Sequence, residues 1–263
     1  MDNNMSQVIE NIYTDYLKSK NELHREKYQD YEGYFSASSA GQCFKKQILR
    51  ANGVPEAQPD GRVLRLLRLG TIVHKDFELA LNHWTHKNTS EEEKGEVWSE
   101  MEMVLDDISV IGHADIVWKR ENRLEVIDIK TIASYKWTKQ FGRIKNRDRN
   151  PSVNYELQLG TYALGAANYF EVEPENIYMY LVWYKKDDSS MKVIEIPTFW
   201  MDNALEYWVN LNEYINISPN GEDIPVGGEN IPVQEWECNY CGYHRLKGGS
   251  CPGVVKTKQT QRR

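Results

Sequence analysis

The fold is decided by two apolar stretches, Ile108-Ser-Val-Ile-Gly-His-Ala-Asp-Ile-Val-Trp118 and Leu124-Glu-Val-Ile-Asp-Ile-Lys130. Both are rich in β-branched residues, and the polar residues 119–122 between them favour a turn. Together they predict an antiparallel hairpin with strands over residues 108–118 and 123–131.

This hairpin gathers three charged side chains on one face. Residues two apart in a strand share a face, so Asp128 and Lys130 point the same way. If the turn is centred on residues 120 and 121, Asp115 lies opposite Val126, diagonal to Asp128 and on its face. The sequence therefore predicts two carboxylates and an ammonium close together on a largely apolar surface.

Such a group of charges favours a metal site. Two carboxylates on an apolar surface repel each other and resist desolvation, so a divalent cation is needed to keep both ionised. Mg²⁺ or Mn²⁺ prefers oxygen ligands and activates water for attack on a phosphodiester, while Lys130 orients that water or stabilises the transition state. The alternative is a solvent-facing ion pair between Asp128 and Lys130 on an edge strand.

The rest of the chain alternates helices and strands. Helices are predicted over residues 6–27, 45–51, 64–84, 154–169 and 200–215, and further strands over 97–105, 176–185 and 192–197. The buried side of helix 64–84 is predicted to consist of Leu69, Ile72, Val73, Phe77, Ala80, Leu81 and Trp84. This order of elements predicts an α/β sandwich around a mixed sheet.

Four short motifs occur in order along these elements. They are Gly70-x-x-x-His74, Gly112-x-x-Asp115, Asp128-Ile129-Lys130 and Gln158-x-x-x-Tyr162. Over residues 36–251 the chain resembles the PD-(D/E)XK nuclease superfamily, and within it the RecB-type exonucleases. The resemblance implies a restriction-endonuclease-like core, a mixed sheet flanked by helices.

The same resemblance implies roles for individual residues. His74, Asp115, Asp128 and the backbone carbonyl of Ile129 would bind Mg²⁺ or Mn²⁺, and Asp115, Asp128 and Lys130 would be catalytic. Gln158 and Tyr162, four apart on one helix face, would hold the lysine or contact DNA. Taken singly, His74 is more often a core or boundary histidine, and Gln158 and Tyr162 are ordinary helix residues.

The function that follows is a metal-dependent deoxyribonuclease. Among RecB-type enzymes the resemblance points to an exonuclease on single-stranded DNA, acting from 5′ to 3′. Two alternatives stay open: a catalytically silent DNA-binding or adaptor subunit of a recombination or spacer-acquisition complex, and a zinc-knuckle RNA-binding protein.

The four cysteines are expected to bind a metal. They are Cys43, Cys238, Cys241 and Cys251, in a chain whose sequence indicates a reducing compartment. The set resembles the iron–sulfur staple of CRISPR-associated RecB-like exonucleases and of the AddB nuclease domain, which implies a [4Fe–4S] cluster. With His244, the three C-terminal cysteines also form a spacing that suits Zn²⁺, which is the alternative.

Basic residues follow the second strand of the hairpin. The candidate DNA contacts are Lys136, Trp137, Lys139, Arg143, Lys145, Arg147 and Arg149, accompanied by Tyr135 and Phe141. Cations bind phosphates and rings stack on unpaired bases, so the segment favours single-stranded DNA. The alternative is a solvated helix face whose aromatic rings pack into the core, and the net charge of −7 argues mildly against a nucleic-acid partner.

The domain organisation predicted from the sequence has three parts: an N-terminal helix in residues 1–35, a nuclease core in 36–215 and a Cys-rich segment with a basic tail in 216–263. There is no signal peptide or membrane-spanning run in the sequence, so the expected location is the cytoplasm of a prokaryote or of a phage-infected host. Besides DNA, the candidate partners are a second copy of the chain and proteins of the recombination or CRISPR type.

Overall fold

The computed structural model describes residues 5–26, 31–87, 95–148, 152–217 and 235–253. The helices are α1 (Met5–Glu26), α2 (Phe44–Ala51), α3 (Gly61–Lys87), α4 (Ser134–Phe141), α5 (Val153–Phe170), α6 (Phe199–Ile217) and α7 (Glu235–Tyr240). The strands are β1 (Phe35–Ser36), β2 (Glu96–Leu105), β3 (Val110–Arg120), β4 (Arg123–Ile132), β5 (Ile177–Lys185) and β6 (Met191–Ile196). Among these described helices, none is long and apolar enough to span a membrane.

The strands form one mixed sheet in the order β1-β3-β4-β5-β6, with β2 also paired to β3. Strand β2 runs antiparallel along nearly the whole of β3, so β1 and β4 share the other edge of β3. There β4 pairs with β3 over residues 116–120, whereas β1 pairs with Val110 and Ile111. Residues 112–115 therefore lie where one edge of β3 changes partner, and Asp115 is at this opening.

The hairpin register differs from the predicted one by two residues. Arg120 is opposite Arg123 and Val117 is opposite Val126, so the turn is centred on residues 121 and 122. The predicted pairing of Asp115 with Val126 was wrong. Because the side chains of a strand alternate with a period of two, a shift of two residues keeps Asp115 on the face of Asp128.

Both faces of the sheet are covered by helices, which confirms the predicted α/β sandwich. On one face α5 and α6 bury the largest apolar cluster, which includes Val126, Leu159 and Trp208. On the other face Ile116, Ile129 and Val182 form a smaller cluster. Phe77 and Leu81 of α3 pack against that smaller cluster.

The predicted buried side of α3 was largely wrong. Within this helix only Leu64 and Glu78 are buried, and Leu69 is 50% exposed. Also exposed are Ile72, Ala80 and Trp84, whereas Val73, Phe77 and Leu81 are half-buried. Apolar residues occur around most of the helix, so their period could not determine which side meets the sheet.

Candidate active site

Asp115 bridges the opening between β3 and β4. The ladder between these strands ends at Ile116 and Ile127. Beyond it the backbone N–H of Ile129 donates a hydrogen bond of 2.7 Å to Oδ2 of Asp115. The Asp115 carboxylate thus takes the place of a strand partner and fixes the β4 backbone beside Asp128.

Helix α3 brings His74 to the same carboxylate. Gly70 lies so close to β4 that an added Cβ would be 3.2 Å from Oγ1 of Thr131, so α3 packs tightly on β4 one turn before His74. Nδ1 of His74 is 3.2 Å from Oδ1 of Asp115. Burial lowers the pKa of His74, but the hydrogen bond and negative charge of Asp115 outweigh burial and raise it above the ordinary value.

Lys130 lies between a carboxylate and an amide. Its Nζ is 2.7 Å from Oδ2 and 3.0 Å from Oδ1 of Asp128, and it donates a 2.9 Å hydrogen bond to Oε1 of Gln158. Gln158 Nε2 in turn donates to the hydroxyl of Tyr162 at 2.8 Å. Burial lowers the pKa of Lys130, but the charges of Asp128 and Asp115 outweigh it, so the pKa is raised and the ammonium stays charged.

Asp128 is the least compensated charge of the cluster. It is 1% exposed, and burial followed by the nearby Asp115 raises its pKa to about 6 in spite of Lys130. Its Oδ2 is buried and accepts no hydrogen bond of good geometry, although Lys130 is near. A divalent cation relieves such an excess of negative charge at a site from which water is excluded.

The donor set suits such a cation. Carboxylate oxygens of Asp115 and Asp128, an imidazole nitrogen of His74 and the Ile129 carbonyl are ligands that Mg²⁺ or Mn²⁺ accepts. In the described residues, no three His, Cys, Asp or Glu side chains are already arranged around a common point. The carboxylates instead contact Lys130 and His74, and metal binding requires them to exchange these contacts.

Two further carboxylates lie close to the cluster. Glu100 is on β2 between Ser99, which pairs with Ile116, and Met101, which pairs with Ala114, so it lies level with Asp115. Its backbone is left-handed, with φ of 50°, and burial followed by Asp115 and Glu78 raises its pKa. Buried Glu78 of α3 accepts a 2.6 Å hydrogen bond from Lys75. Sequence reasoning missed both.

Tyr155 also contacts the candidate active site, although none of the four sequence motifs includes it. Nζ of Lys130 is 5.3 Å from the centroid of the Tyr155 ring, and Nζ of Lys136 is 5.9 Å from it. The ring also meets Trp183 edge-on at 5.3 Å. Tyr155 precedes Gln158 by three residues on α5, so extending that motif backward by one turn identifies it.

The basic segment is only partly available to a ligand. Trp137 and Phe141 pack against the main core, whereas Tyr135 is 76% exposed. Lys139 forms a 3.1 Å ion pair with Asp148. Exposed cations follow at Arg143, Lys145 and Arg147, whereas Arg149 lies outside the described residues. The rings are therefore divided between the core and the surface, and Trp137 offers less of its face than predicted.

The C-terminal cysteines lie against α2, whose first residue follows Cys43. Cys251 packs with Leu49 and Tyr243, and the hydroxyl of Tyr243 donates to the Val54 carbonyl at 3.1 Å. None of the four cysteines forms a disulfide. Burial raises the pKa of Cys241, to which the nearby Cys43 contributes. Within this segment, residues 235–240 form the short helix α7.

The chain is similar to known proteins in sequence and in fold. The sequence profile of the PD-(D/E)XK nuclease superfamily matches residues 47–246, which contain all four predicted motifs. The solved structure of SSO0001 is similar in fold, with a TM-score of 0.53 and 18% identity, over 93% of this chain and 98% of that chain. A candidate exonuclease from Eubacterium rectale aligns with a TM-score of 0.49 and 17% identity, over 78% of this chain and 89% of that one.

No curated protein matches the chain. The superfamily profile, by contrast, covers well over half of the chain and includes Asp115, Asp128 and Lys130. These residues meet at the opening of one mixed sheet, as the motif order requires. The chain belongs to the PD-(D/E)XK nuclease superfamily.

Proposed function

We propose that this nuclease is a RecB-type exonuclease that degrades single-stranded DNA from 5′ ends. Membership of the superfamily makes the chain a nuclease that acts on nucleic acid, and such enzymes typically use Mg²⁺ or Mn²⁺. The observation that carries the proposal is the position of Lys130, whose buried ammonium lies between Asp128 and Gln158 with Asp115 close by.

Each residue of the candidate active site has a separate task in the proposed reaction. A divalent ion bound by Asp115, Asp128, His74 and the Ile129 carbonyl would supply an activated water and neutralise charge on the phosphate. Asp115 fixes the β4 backbone through the Ile129 N–H, which sets the positions of Asp128 and Lys130. The Lys130 ammonium stabilises negative charge that develops on the phosphate oxygens.

Gln158 and Tyr162 act as positioning residues. Gln158 accepts from Lys130 and donates to Tyr162, so its amide has a defined orientation. Burial raises the pKa of Tyr162 well above its ordinary value, so its hydroxyl stays protonated. We infer that this chain of hydrogen bonds keeps Lys130 in one rotamer during the reaction.

The preference for unpaired DNA has its own support. Tyr135 presents an exposed ring beside Lys139 and Lys145, which suits stacking on an unpaired base. The 5′ polarity rests on the resemblance to RecB-type exonucleases. We propose that the enzyme works in the prokaryotic or phage-infected cytoplasm.

The experiment is cleavage of single-stranded and duplex DNA labelled at the 5′ or the 3′ end. Wild type and Asp128→Ala are compared in Mn²⁺, Mg²⁺ and EDTA. We expect metal-dependent release of short products from the 5′ end of single strands, with none from Asp128→Ala. Release from 3′ ends only, or internal cuts, would overturn the polarity or the exonuclease mode, and cleavage by Asp128→Ala would overturn the site.

We also propose that Cys43, Cys238, Cys241 and Cys251 bind a [4Fe–4S] cluster that ties the C-terminal segment to α2. The burial of Cys251 beside Leu49 and the proximity of Cys241 to Cys43 support this, and cluster binding would have to draw the four thiols together, because no three of them are arranged around a common point in the described residues. Iron and acid-labile sulfide, measured after anaerobic purification, should reach about four atoms each per chain. One zinc per chain and no iron would favour the alternative set with His244, whose Nδ1 is buried without a hydrogen-bond partner.

A further inference from the structure

A surface cavity of about 240 Å³ lies beside α4, outside the carboxylate cluster. It is lined by Tyr135, Thr138, Lys139, Lys145 and Asn146. The cavity is smaller than the pockets that enclose drug-sized ligands, and it suits a fragment about as large as one planar base.

The walls of this cavity are held in place by local bonds. Arg147 Nε donates to the Gly142 carbonyl at 2.7 Å, and the Asp148 N–H donates to the Lys139 carbonyl at 3.1 Å. Phe141 anchors the same segment, because it meets Trp183 edge-on at 5.5 Å. The cavity is therefore formed before a ligand arrives, which lowers the entropic cost of binding.

The lining has the chemistry of a nucleotide site. Tyr135 is 76% exposed, and Nζ of Lys139 lies 5.8 Å from its ring centroid. Asn146 offers an amide that donates and accepts, and Thr138 offers a hydroxyl. Among the described residues that line the cavity there is no carboxylate, and Asp148 is engaged with Lys139 beside it. This combination fits an unpaired base with its flanking phosphates better than an apolar or cationic ligand.

A short path connects the cavity to the catalytic lysine. Tyr155 lies under both Lys130 and Lys136, with centroid distances of 5.3 and 5.9 Å. Lys136 directly follows Tyr135, and α4 begins two residues after β4 ends. Through the rings and cations of Tyr155 and Lys136, the cavity residue Tyr135 is thus linked to Lys130 by two ring contacts and one peptide bond.

We propose that this cavity holds one unpaired nucleobase of the substrate next to the scissile phosphate. Tyr135 stacks on the base, Asn146 contacts its edge, and Lys139 and Lys145 bind the flanking phosphates. The proposal rests on the proposed nuclease acting on single strands, and it names the residues that select them.

The test is binding of a short single-stranded oligonucleotide that carries 2-aminopurine, in EDTA so that no cleavage occurs. Wild type should quench the base by stacking. Tyr135→Ala should lose the quenching and weaken binding about 5-fold or more, because stacking on a ring is worth about 1–3 kcal/mol per base. Tyr135→Phe, which keeps the ring, should behave like wild type. Lys145→Ala should lower the salt dependence of binding by about one phosphate contact.

Tyr169→Ala is the matched control, since Tyr169 is an exposed tyrosine near the far end of α5. It should bind and quench as wild type does. Equal binding and quenching by Tyr135→Ala would overturn the base site while leaving the nuclease proposal intact. Failure of wild type to bind single strands also overturns the base site, and the cleavage assay with metal then decides separately whether the chain is a nuclease.

Discussion

Both ends of the β3–β4 hairpin bury carboxylates, but they compensate the negative charge differently. Near the turn, Glu125 is 4% exposed and contacts the guanidinium groups of both Arg120 and Arg123. Three residues along β4 and on its opposite face, Asp128 is 1% exposed, has one cation in Lys130 and has Asp115 nearby. The turn cluster thus has two cations for one carboxylate, although Oε2 of Glu125, like Oδ2 of Asp128, is buried without a hydrogen-bond partner.

The parallel extends to the neighbouring tyrosines. Arg123 lies 3.9 Å from the ring centroid of Tyr178 and donates to the Tyr180 hydroxyl at 3.2 Å. At the other end, Lys130 lies over Tyr155, and Gln158 connects it to Tyr162. Both clusters are built from carboxylates, cations and tyrosines. The cluster near the turn has more cations than carboxylates, whereas the cluster around Asp128 is short of positive charge. A deficit of cations, rather than burial, thus distinguishes a candidate metal site from a structural ion pair.

The largest effect is expected when each cluster loses its cation. Lys130→Met should lower the cleavage rate at saturating Mn²⁺ by about 100- to 1000-fold, because it removes charge that stabilises the transition state. Arg123→Met, the counterpart at the turn, should change that rate less than threefold. Single-turnover cleavage at a temperature where both variants are folded measures this, and equal losses would remove the distinction between the clusters.

Neutralising the two carboxylates should change stability in opposite directions. In metal-free buffer at pH 7, Asp128→Asn should raise the free energy of unfolding by about 1–3 kcal/mol, because the folded state raises the pKa of Asp128, so that its ionisation costs stability from about pH 4 upward. Lys130 keeps Gln158, the charge of Asp115 and the amide oxygen at position 128 as partners. Glu125→Gln should lower it by about 1–3 kcal/mol, since two arginines lose their buried partner. Denaturant titration measures both changes, and a shift of the same sign in both would contradict the comparison.

Metal should act on one cluster only. Adding Mn²⁺ at about 100 times its Kd should stabilise wild type by about 2.7 kcal/mol, which raises Tm by several degrees. Mn²⁺ should raise the Tm of Glu125→Gln by as much as that of wild type, although its metal-free Tm is lower. It should raise the Tm of Asp128→Asn only a little. Thermal melts with and without Mn²⁺ make this comparison. A full shift in Asp128→Asn would place the metal elsewhere.

Loss of one tyrosine hydroxyl should have a smaller effect. Tyr162→Phe removes the acceptor of Gln158 and should reduce kcat by about 10-fold or less, the worth of one hydrogen bond. Tyr180→Phe, which removes the acceptor of Arg123, should leave kcat within twofold. If both substitutions change mainly KM or stability rather than kcat, the hydrogen bond to Tyr162 does not position Lys130.

The smallest effect on kcat is expected from the loss of a tyrosine ring that contacts Lys130 or Arg123. Tyr155→Leu should lower kcat about two- to fivefold, because an ammonium over a ring gains about 0.5–1 kcal/mol. Tyr178→Leu should leave kcat unchanged. An unaltered kcat in Tyr155→Leu would mean that its ring only fills space against Trp183.

The placement of the carboxylate cluster on one face could be predicted from the sequence because it depends on a period of two. Asp115 and Asp128 stayed on one face even though the predicted register was wrong by two residues. The strand bounds were also within two residues, since polar turns flank β-branched runs. The local sequence pattern is sufficient to predict a site where the pattern itself determines which face of the strand each side chain occupies.

Other features depend on tertiary packing and could not be predicted. The left-handed backbone of Glu100 and its place level with Asp115 follow from the pairing of β2 with β3. Leu69 belongs to a helix with apolar residues on most sides, so only contact with the sheet decides its exposure. Trp137 and Tyr135 are close in sequence and equally aromatic, yet one packs on the core and the other faces solvent.

The central claim is that the cation-deficient cluster around Asp128 is the metal-dependent nuclease centre. The most direct test is cleavage of end-labelled single-stranded DNA over a Mn²⁺ titration by wild type, Asp128→Asn and Glu125→Gln. We predict that Glu125→Gln cleaves as wild type does and that Asp128→Asn gives no products at any Mn²⁺ concentration. Cleavage by Asp128→Asn with an unchanged Mn²⁺ dependence would contradict the claim.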